Sequence, residues 1–250
     1  MTRLKSEPLH VRQLALGPMK NFVYLLGDGA SDEVAVVDPA WDAAAIRAAA
    51  QADGKRLSAI IVSHHHGDHV NGVEPLLAEL DLPVYVQRSE HAFSDAVRFG
   101  DAVRLVGPGE VIRVGGLEVE LIHTPGHTPG SQCVHARGAL FSGDTVFVNA
   151  CGRCDFKGGD PEAMHHSLHR VLGALDDGTR LYPGHDYGDV QVSSLGRERA
   201  QNPYFQLIEY APLTPQVHEV PFLFVPPCIN KYYILDLQPD NSVVRYLLSQ

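Results

Sequence analysis

Leu57-Ser58-Ala59-Ile60-Ile61-Val62 is an apolar, partly β-branched run that stops at Ser63 and leads straight into His64-His65-His66-Gly67-Asp68-His69. Such a run reads as a buried strand, so the histidines fall on a strand-to-helix loop, where rigid strand ends commonly present functional side chains. Four potential metal ligands, His64, His66, Asp68 and His69, lie within these six residues. Alternation lets His64 and His66 point the same way, while Asp68 and His69 turn past Gly67 toward a neighbouring point, an arrangement that could serve two metals. A His-rich surface turn without a ligand is the plain alternative, and matching ligands further along the chain decide against it.

Three further apolar runs end in the same chemistry. Leu121-Ile122-His123-Thr124-Pro125-Gly126-His127-Thr128 presents His127 from a Pro/Gly turn, Ala139-Leu140-Phe141-Ser142-Gly143-Asp144-Thr145 stops at Asp144, and Leu181-Tyr182-Pro183-Gly184-His185 carries His185 just after Pro-Gly. Each has glycine in or beside its turn.

In order and spacing, His64-x-His66-x-Asp68-His69, Pro125-Gly126-His127-Thr128, Gly143-Asp144-Thr145 and Pro183-Gly184-His185 resemble the metallo-β-lactamase superfamily. Cys151-Gly152-Arg153-Cys154-Asp155-Phe156 with Gly159-Asp160-Pro161 is similar to a segment of its glyoxalase II (hydroxyacylglutathione hydrolase) and persulfide dioxygenase branch. The resemblance implies a four-layered αββα sandwich. It implies one metal on His64, His66 and His127 and a second on Asp68, His69 and His185, with Asp144 bridging. The cofactor is then two divalent ions, zinc first, with iron or manganese as alternatives. A metal-bridged hydroxide would cleave a thioester or other glutathione-derived substrate, with Asp68 orienting the hydroxide and Arg153 and Tyr187 contacting the substrate. An internal salt bridge from Arg153 to Asp155, and simple packing of Tyr187, are equally open for those two residues.

The same residues allow a second chemistry. His64, His127 and Asp144 form a two-His-one-carboxylate set suited to a single non-haem Fe(II). The persulfide dioxygenase branch, as the resemblance has it, works this way, leaving His66, Asp68 and His69 without metal. Hydrolysis is preferred because the complete two-metal set is present. A noncatalytic binding protein on the same fold would be signalled by a lost ligand, and none is lost.

Composition narrows the partners. A formal net charge of -10 with 20 Lys+Arg opposes nonspecific binding to a phosphate backbone. No stretch approaches the roughly 20 apolar residues of a membrane span, and the N-terminus lacks the apolar run of a secretory signal, so the expectation is a cytoplasmic protein without membrane contact. Four cysteines do not make a disulfide framework in a chain of 250 residues. Cys151-x-x-Cys154 lacks a second pair and a thioredoxin-like context, and Cys133 and Cys228 read as packing residues.

Strands are expected over 11–16, 21–27, 33–38, 57–62 and 83–86, and repeatedly between 111 and 147. Helices are expected over 41–52, 70–80, 89–99, 161–175 and 195–203. Residues 1–190 form the expected catalytic domain and 191–250 a divergent extension packed on it. In that extension Tyr232–Leu237 and Val243–Leu248 look like a hairpin, which could cap the site, mediate a homodimer or complete the core. His65 should point away from its neighbours, His123 is a candidate outer partner, and His165 and His169, four apart on one helix, read as a solvated face.

Overall fold

The computed structural model describes residues 8–205. The strands in chain order are β1 (Leu9–Leu16), β2 (Asn21–Asp28), β3 (Glu33–Val37), β4 (Arg56–Ile61), β5 (Val84–Gln87), β6 (Val103–Val106), β7 (Glu110–Val114), β8 (Leu117–His123), β9 (Gln132–Ala136), β10 (Ala139–Gly143), β11 (Val146–Phe147), β12 (Ala150–Cys151), β13 (Arg180–Pro183) and β14 (Ser193–Ser194). Helices α1 (Ala43–Ala52), α2 (Gly67–Val70), α3 (Val73–Leu77), α4 (Arg88–Phe93), α5 (Pro161–His166) and α6 (Leu195–Gln201) fall between or after them.

One six-stranded sheet runs β1-β2-β3-β4-β5-β6 and a second runs β14-β13-β10-β9-β8-β7. The apolar residues sort into three clusters, which correspond to the three interfaces of a four-layered sandwich. Along β2, Phe22, Tyr24 and Leu26 join Val119, Leu121, Val134 and Phe141 between the sheets. The alternate residues Val23 and Leu25 join Ile46 of α1 and Leu76 of α3 on the outer face of the first sheet. Leu140 and Leu181 meet Met164 and Leu168 on the outer face of the second. A strand covered on both faces needs apolar residues at every position, which is why β2 and β4 read as continuous rather than alternating runs.

Local chemistry sets the helix ends. Asp42 accepts a hydrogen bond from Ala45 N at 2.8 Å and starts α1 one residue after Trp41, whose φ of 66° keeps it out of the helix. Asp160 caps α5 through Glu162 N and Ala163 N, with Pro161 at the first helical position. The expected single helices are broken more than the sequence suggests. The 70–80 segment divides into α2 and α3, the 89–99 segment ends at Phe93 and resumes as a short 3-10 turn, and α5 passes through a π-helical stretch at Ser167–Val171. Residues past 190 add β14 and α6 at the edge of the second sheet, with Arg180 and Leu181 paired to Ser194 and Ser193. The expected hairpin over 232–248, together with Cys228, lies outside the described residues. Among the described residues no helix is long and apolar enough to cross a membrane.

Parallel pairing brings functional strand ends together. β3 runs parallel to β4, and β10 parallel to β13, so the carboxyl ends of these strands carry Asp38, Ser63, Asp144 and His185. The two sheets are stitched at this end: Gln132 N donates to Ser63 O at 2.9 Å, Gln132 Nε2 to Val62 O at 2.7 Å, and Tyr24 OH to Pro183 O at 2.6 Å. Gly143 has φ +47°, and a Cβ there would stand 2.4 Å from Ser63 Oγ, so only glycine lets β10 pass this close to the end of β4.

Candidate metal centre

Six imidazole and carboxylate groups from three loops converge on this edge as two triads, with Asp144 of a fourth loop between them. In the first triad His66 Nδ1 lies 3.1 Å from His64 Nε2 and 3.0 Å from His127 Nε2. In the second, His69 Nε2 lies 3.1 Å from His185 Nε2, and Asp68 Oδ2 is 3.5 Å and 3.4 Å from these two nitrogens. Asp144 turns Oδ2 toward the first triad, 3.5 Å from His127 Nε2 and 4.0 Å from His64 Nε2. Its Oδ1 faces the second, 3.3 Å from His69 Nε2 and 3.5 Å from His185 Nε2.

The opposite ring nitrogens explain these close approaches. His127 Nδ1 donates to Arg153 O at 2.6 Å and His185 Nδ1 to Met19 O at 2.9 Å. His69 Nδ1 lies 3.0 Å from Asp38 Oδ2. Ser63 Oγ donates to Asp38 Oδ2 at 2.6 Å and can therefore accept from His64 Nδ1 at 3.0 Å. In all four rings the proton is drawn to Nδ1, and the Nε2 lone pair faces the centre of the site. Lone pairs 3.0 to 3.1 Å apart repel unless a proton or a cation lies between them. The spacing is close to the roughly 3.3 Å expected for two nitrogens sharing one tetrahedral ion. Asp144 Oδ1 is buried with no hydrogen-bond donor, another acceptor awaiting a cation. The donor set fits divalent metal, and imidazole held from behind by a carbonyl or carboxylate is the arrangement such ligands adopt.

Charge is distributed accordingly. Burial and the neighbouring imidazoles hold His64 well below the usual histidine range, and burial with His127 and His65 brings His66 down to about 4. Burial acts in the same sense on His69, but the carboxylates of Asp144 and Asp38 outweigh it and raise its pKa well above normal. Burial would raise Asp144, yet His69, His185 and His64 hold it well below the carboxylate range. An anion at the heart of four imidazoles is stabilised by whichever positive charge occupies the site.

Of the sequence-derived candidates, His64, His66, Asp68, His69, His127, Asp144 and His185 all stand here, and Tyr187 stands beside them. The Tyr187 ring stacks on His185, 4.6 Å between centroids at 7°, and is 54% exposed, so it forms part of the wall of the opening. Arg153 is engaged within its own loop. Nε and Nη2 pair with the two oxygens of Asp155 at 2.8 and 2.6 Å, and the guanidinium lies over the Phe156 ring at 4.3 Å. Its carbonyl, rather than its side chain, touches a site residue. His65 points away from its neighbours, as alternation suggests, and its Nδ1 meets Glu90 at 2.6 Å. His123 Nε2 lies 3.0 Å from Pro129 O, and the His165 and His169 rings stack at 4.2 Å on α5 and the turn beyond it. Neither belongs to a triad.

Four residues outside that set shape the site. Asp38, 3% exposed and at φ +51°, accepts from Ser63 N, Ser63 Oγ and His69 Nδ1. Asn21, 1% exposed, donates from Nδ2 to Asp68 Oδ2 at 2.9 Å and Asp68 O at 3.0 Å, and its Oδ1 accepts from Trp41 Nε1 at 2.8 Å. Ser63 relays between Asp38 and His64, and Glu90 ties two of the loops together. The only sequence signal for Asp38 is its place at a strand end next to Pro39, which is equally the signal of a helix start.

Two sheets packed face to face with helices outside, gathering histidines and carboxylates at one end, define a metalloenzyme of the αββα class. Residues 16–185 match the metallo-beta-lactamase superfamily, and the chain belongs to it. A hydroxyacylglutathione hydrolase of Alkalilimnicola ehrlichii is 44% identical over 185 residues, covering 73% of this chain and 68% of that protein. A probable polyketide biosynthesis zinc-dependent hydrolase, BaeB, of Bacillus velezensis is 34% identical over 187 residues, 75% of this chain and 82% of the other. The mitochondrial persulfide dioxygenase ETHE1 of Mus musculus is 32% identical over 204 residues, 80% and 77%. Among solved structures, TTHA1623 in a di-iron-bound form superposes with a TM-score of 0.67 at 32% identity, over 78% of this chain and all of that one. Residues 186–247 match the N-terminus of poly-beta-hydroxybutyrate polymerase, and the first part of that match supplies β14 and α6.

Proposed function

We propose that the chain is a thioester hydrolase of the glyoxalase II type, with ions held by His64, His66 and His127 and by Asp68, His69 and His185, and with Asp144 shared. The observation that carries this reading is the completeness of the second triad. His69 and His185 have their protons drawn to the outer nitrogen by Asp38 and by Met19 O, and Asp68 is oriented by Asn21. A site for a single ion at the first triad has no use for these supports. Two divalent ions held by these residues would supply water acidified toward neutral pH and positive charge for a thioester carbonyl.

The chain's own residues do the rest. Asp68 accepts from Asn21 on the same oxygen that faces His69 and His185, so its carboxylate has one orientation toward the reacting water. Tyr187 over His185 and Phe156 edge-on to His66 and His127 are exposed aromatic faces, one beside each triad, against which the acyl and thiol arms pack. The departing thiol has a pKa of about 8.5 and leaves as thiolate without a proton donor. Arg153 contributes to substrate binding only by exchanging Asp155 for a substrate carboxylate.

The persulfide dioxygenase reading draws on His64, His127 and Asp144 as a facial set for one Fe(II), and on the mouse relative. Purification under low oxygen, metal analysis, and thioester cleavage assayed beside persulfide-dependent oxygen uptake separate the two. Two ions per chain with thioester turnover are expected. One iron per chain with oxygen consumption overturns the hydrolase.

A further inference from the structure

Glu90 belongs to neither triad and takes no part in the reaction above, yet it is among the most completely engaged side chains in the molecule. It sits on α4, is 1% exposed, and its carboxylate lies between the two loops that build the first triad. Oε1 accepts from His65 N at 2.8 Å and meets His65 Nδ1 at 2.6 Å. Thr128 Oγ1 donates to both oxygens, at 2.8 and 2.9 Å, and Gly130 N donates to Oε2 at 2.7 Å. Thr128 keeps its proton for Glu90 because Ser131 Oγ, which accepts from Thr128 N, supplies the other hydrogen bond to Thr128 Oγ1.

Sequence neighbours give these bonds their meaning. His65 stands between His64 and His66, so holding both its backbone N–H and its ring fixes the angle between the two flanking imidazoles. Thr128 follows His127 directly. One buried carboxylate therefore sets the distance between His66 Nδ1 and His127 Nε2, which belong to loops more than 60 residues apart. Nothing equivalent links Glu90 to the second triad, whose supports are Asp38, Asn21 and Met19 O.

We propose that Glu90 is a positioning residue for the His64-His66-His127 triad alone, holding the two loops of that triad in register without acting on the second triad. The inference rests on the reading of these residues as metal ligands, and cobalt(II) binding to the full chain tests it apart from any activity. Buried partners of metal ligands contribute about 10–100-fold to affinity. In a His185→Ala background, which leaves the first triad, Glu90→Gln is expected to weaken cobalt binding by about that factor and to shift its visible absorption, with Glu90→Asp restoring part of the loss. In a His64→Ala background, which leaves the second, Glu90→Gln is expected to change neither. Thr128→Val, which keeps the carboxylate and removes one donor, reproduces the pattern at smaller amplitude and covers the case in which Glu90→Gln fails to fold.

Equal weakening in both backgrounds, or in neither, overturns the proposal. If the unsubstituted chain binds one cobalt in total, the two-ion reading fails instead, and Glu90 is judged by whether its replacement weakens that single ion.

Discussion

The two halves of the centre hold the same ligand chemistry by different means. The first triad is assembled from two loops tied together by a buried carboxylate on a helix, with His64 anchored separately through Ser63. The second is braced by backbone and by neighbouring strand ends: Met19 O behind His185, Asn21 beside Asp68, and Asp38 behind His69. Each half has one carbonyl support that no side-chain substitution removes, Arg153 O behind His127 and Met19 O behind His185, and one buried carboxylate that can be replaced, Glu90 for the first and Asp38 for the second. The two halves should therefore differ in which single change disables them.

Asp144→Ala should have the largest effect, because one residue faces both triads. Metal content should fall in both halves and turnover should fall by more than the ~10–100-fold typical of outer partners. Retention of either ion at unchanged affinity would show that Asp144 is not shared. Asp38→Asn comes next. Asparagine tolerates φ +51°, so the backbone is kept while the charge behind His69 is lost, and cobalt affinity of the second triad should drop about 10–100-fold. Because Ser63 also leans on Asp38, a smaller loss at the first triad is expected, measured in the same titration.

Gly130→Ala tests the first scaffold from its other side. A Cβ at Gly130 would lie 2.2 Å from Glu90 N, so thermal unfolding should show about 1–3 kcal/mol of destabilisation, characteristic of overpacking. An unchanged melting temperature would mean that α4 is not pressed against this loop.

The smallest effect expected is a pH dependence. Burial would raise the Glu90 pKa, but hydrogen bonds from His65 and Thr128 bring it below the carboxylate range. A carboxylate depressed in the folded state contributes stability above its unfolded pKa, about 4.3, and loses that contribution as pH falls through the folded value. Denaturant unfolding of the native chain should therefore decline more steeply below about pH 4.3 than that of Glu90→Gln. Parallel profiles would remove Glu90 from the ionised network.

How much of this was visible in the chain follows from how local each signal is. The candidate metal ligands are legible because each follows an apolar run within a few residues and each is flagged by a Gly or Pro turn. The supports are not. Asp38 reads as a turn residue before Pro39, Asn21 as the polar start of a strand, and Glu90 as an ordinary charge on a helix, because the groups they bind lie 20 to 47 residues away. Arg153 is a different case. Its motif leaves substrate contact and a salt bridge to Asp155 equally open, and Asp155, two residues on, occupies its fork.

The sequence by itself determined the buried strands and the inventory of donors, since hydrophobic continuity along the strands and histidine spacing at their ends are properties of short segments, while the four-layered sandwich was what the family resemblance implied. Only the tertiary structure decided which donors share a triad, which nitrogen of each imidazole faces inward, and which buried acids stand behind them. Those outcomes depend on parallel strand ends from two sheets being packed together, and no stretch of chain carries that information alone.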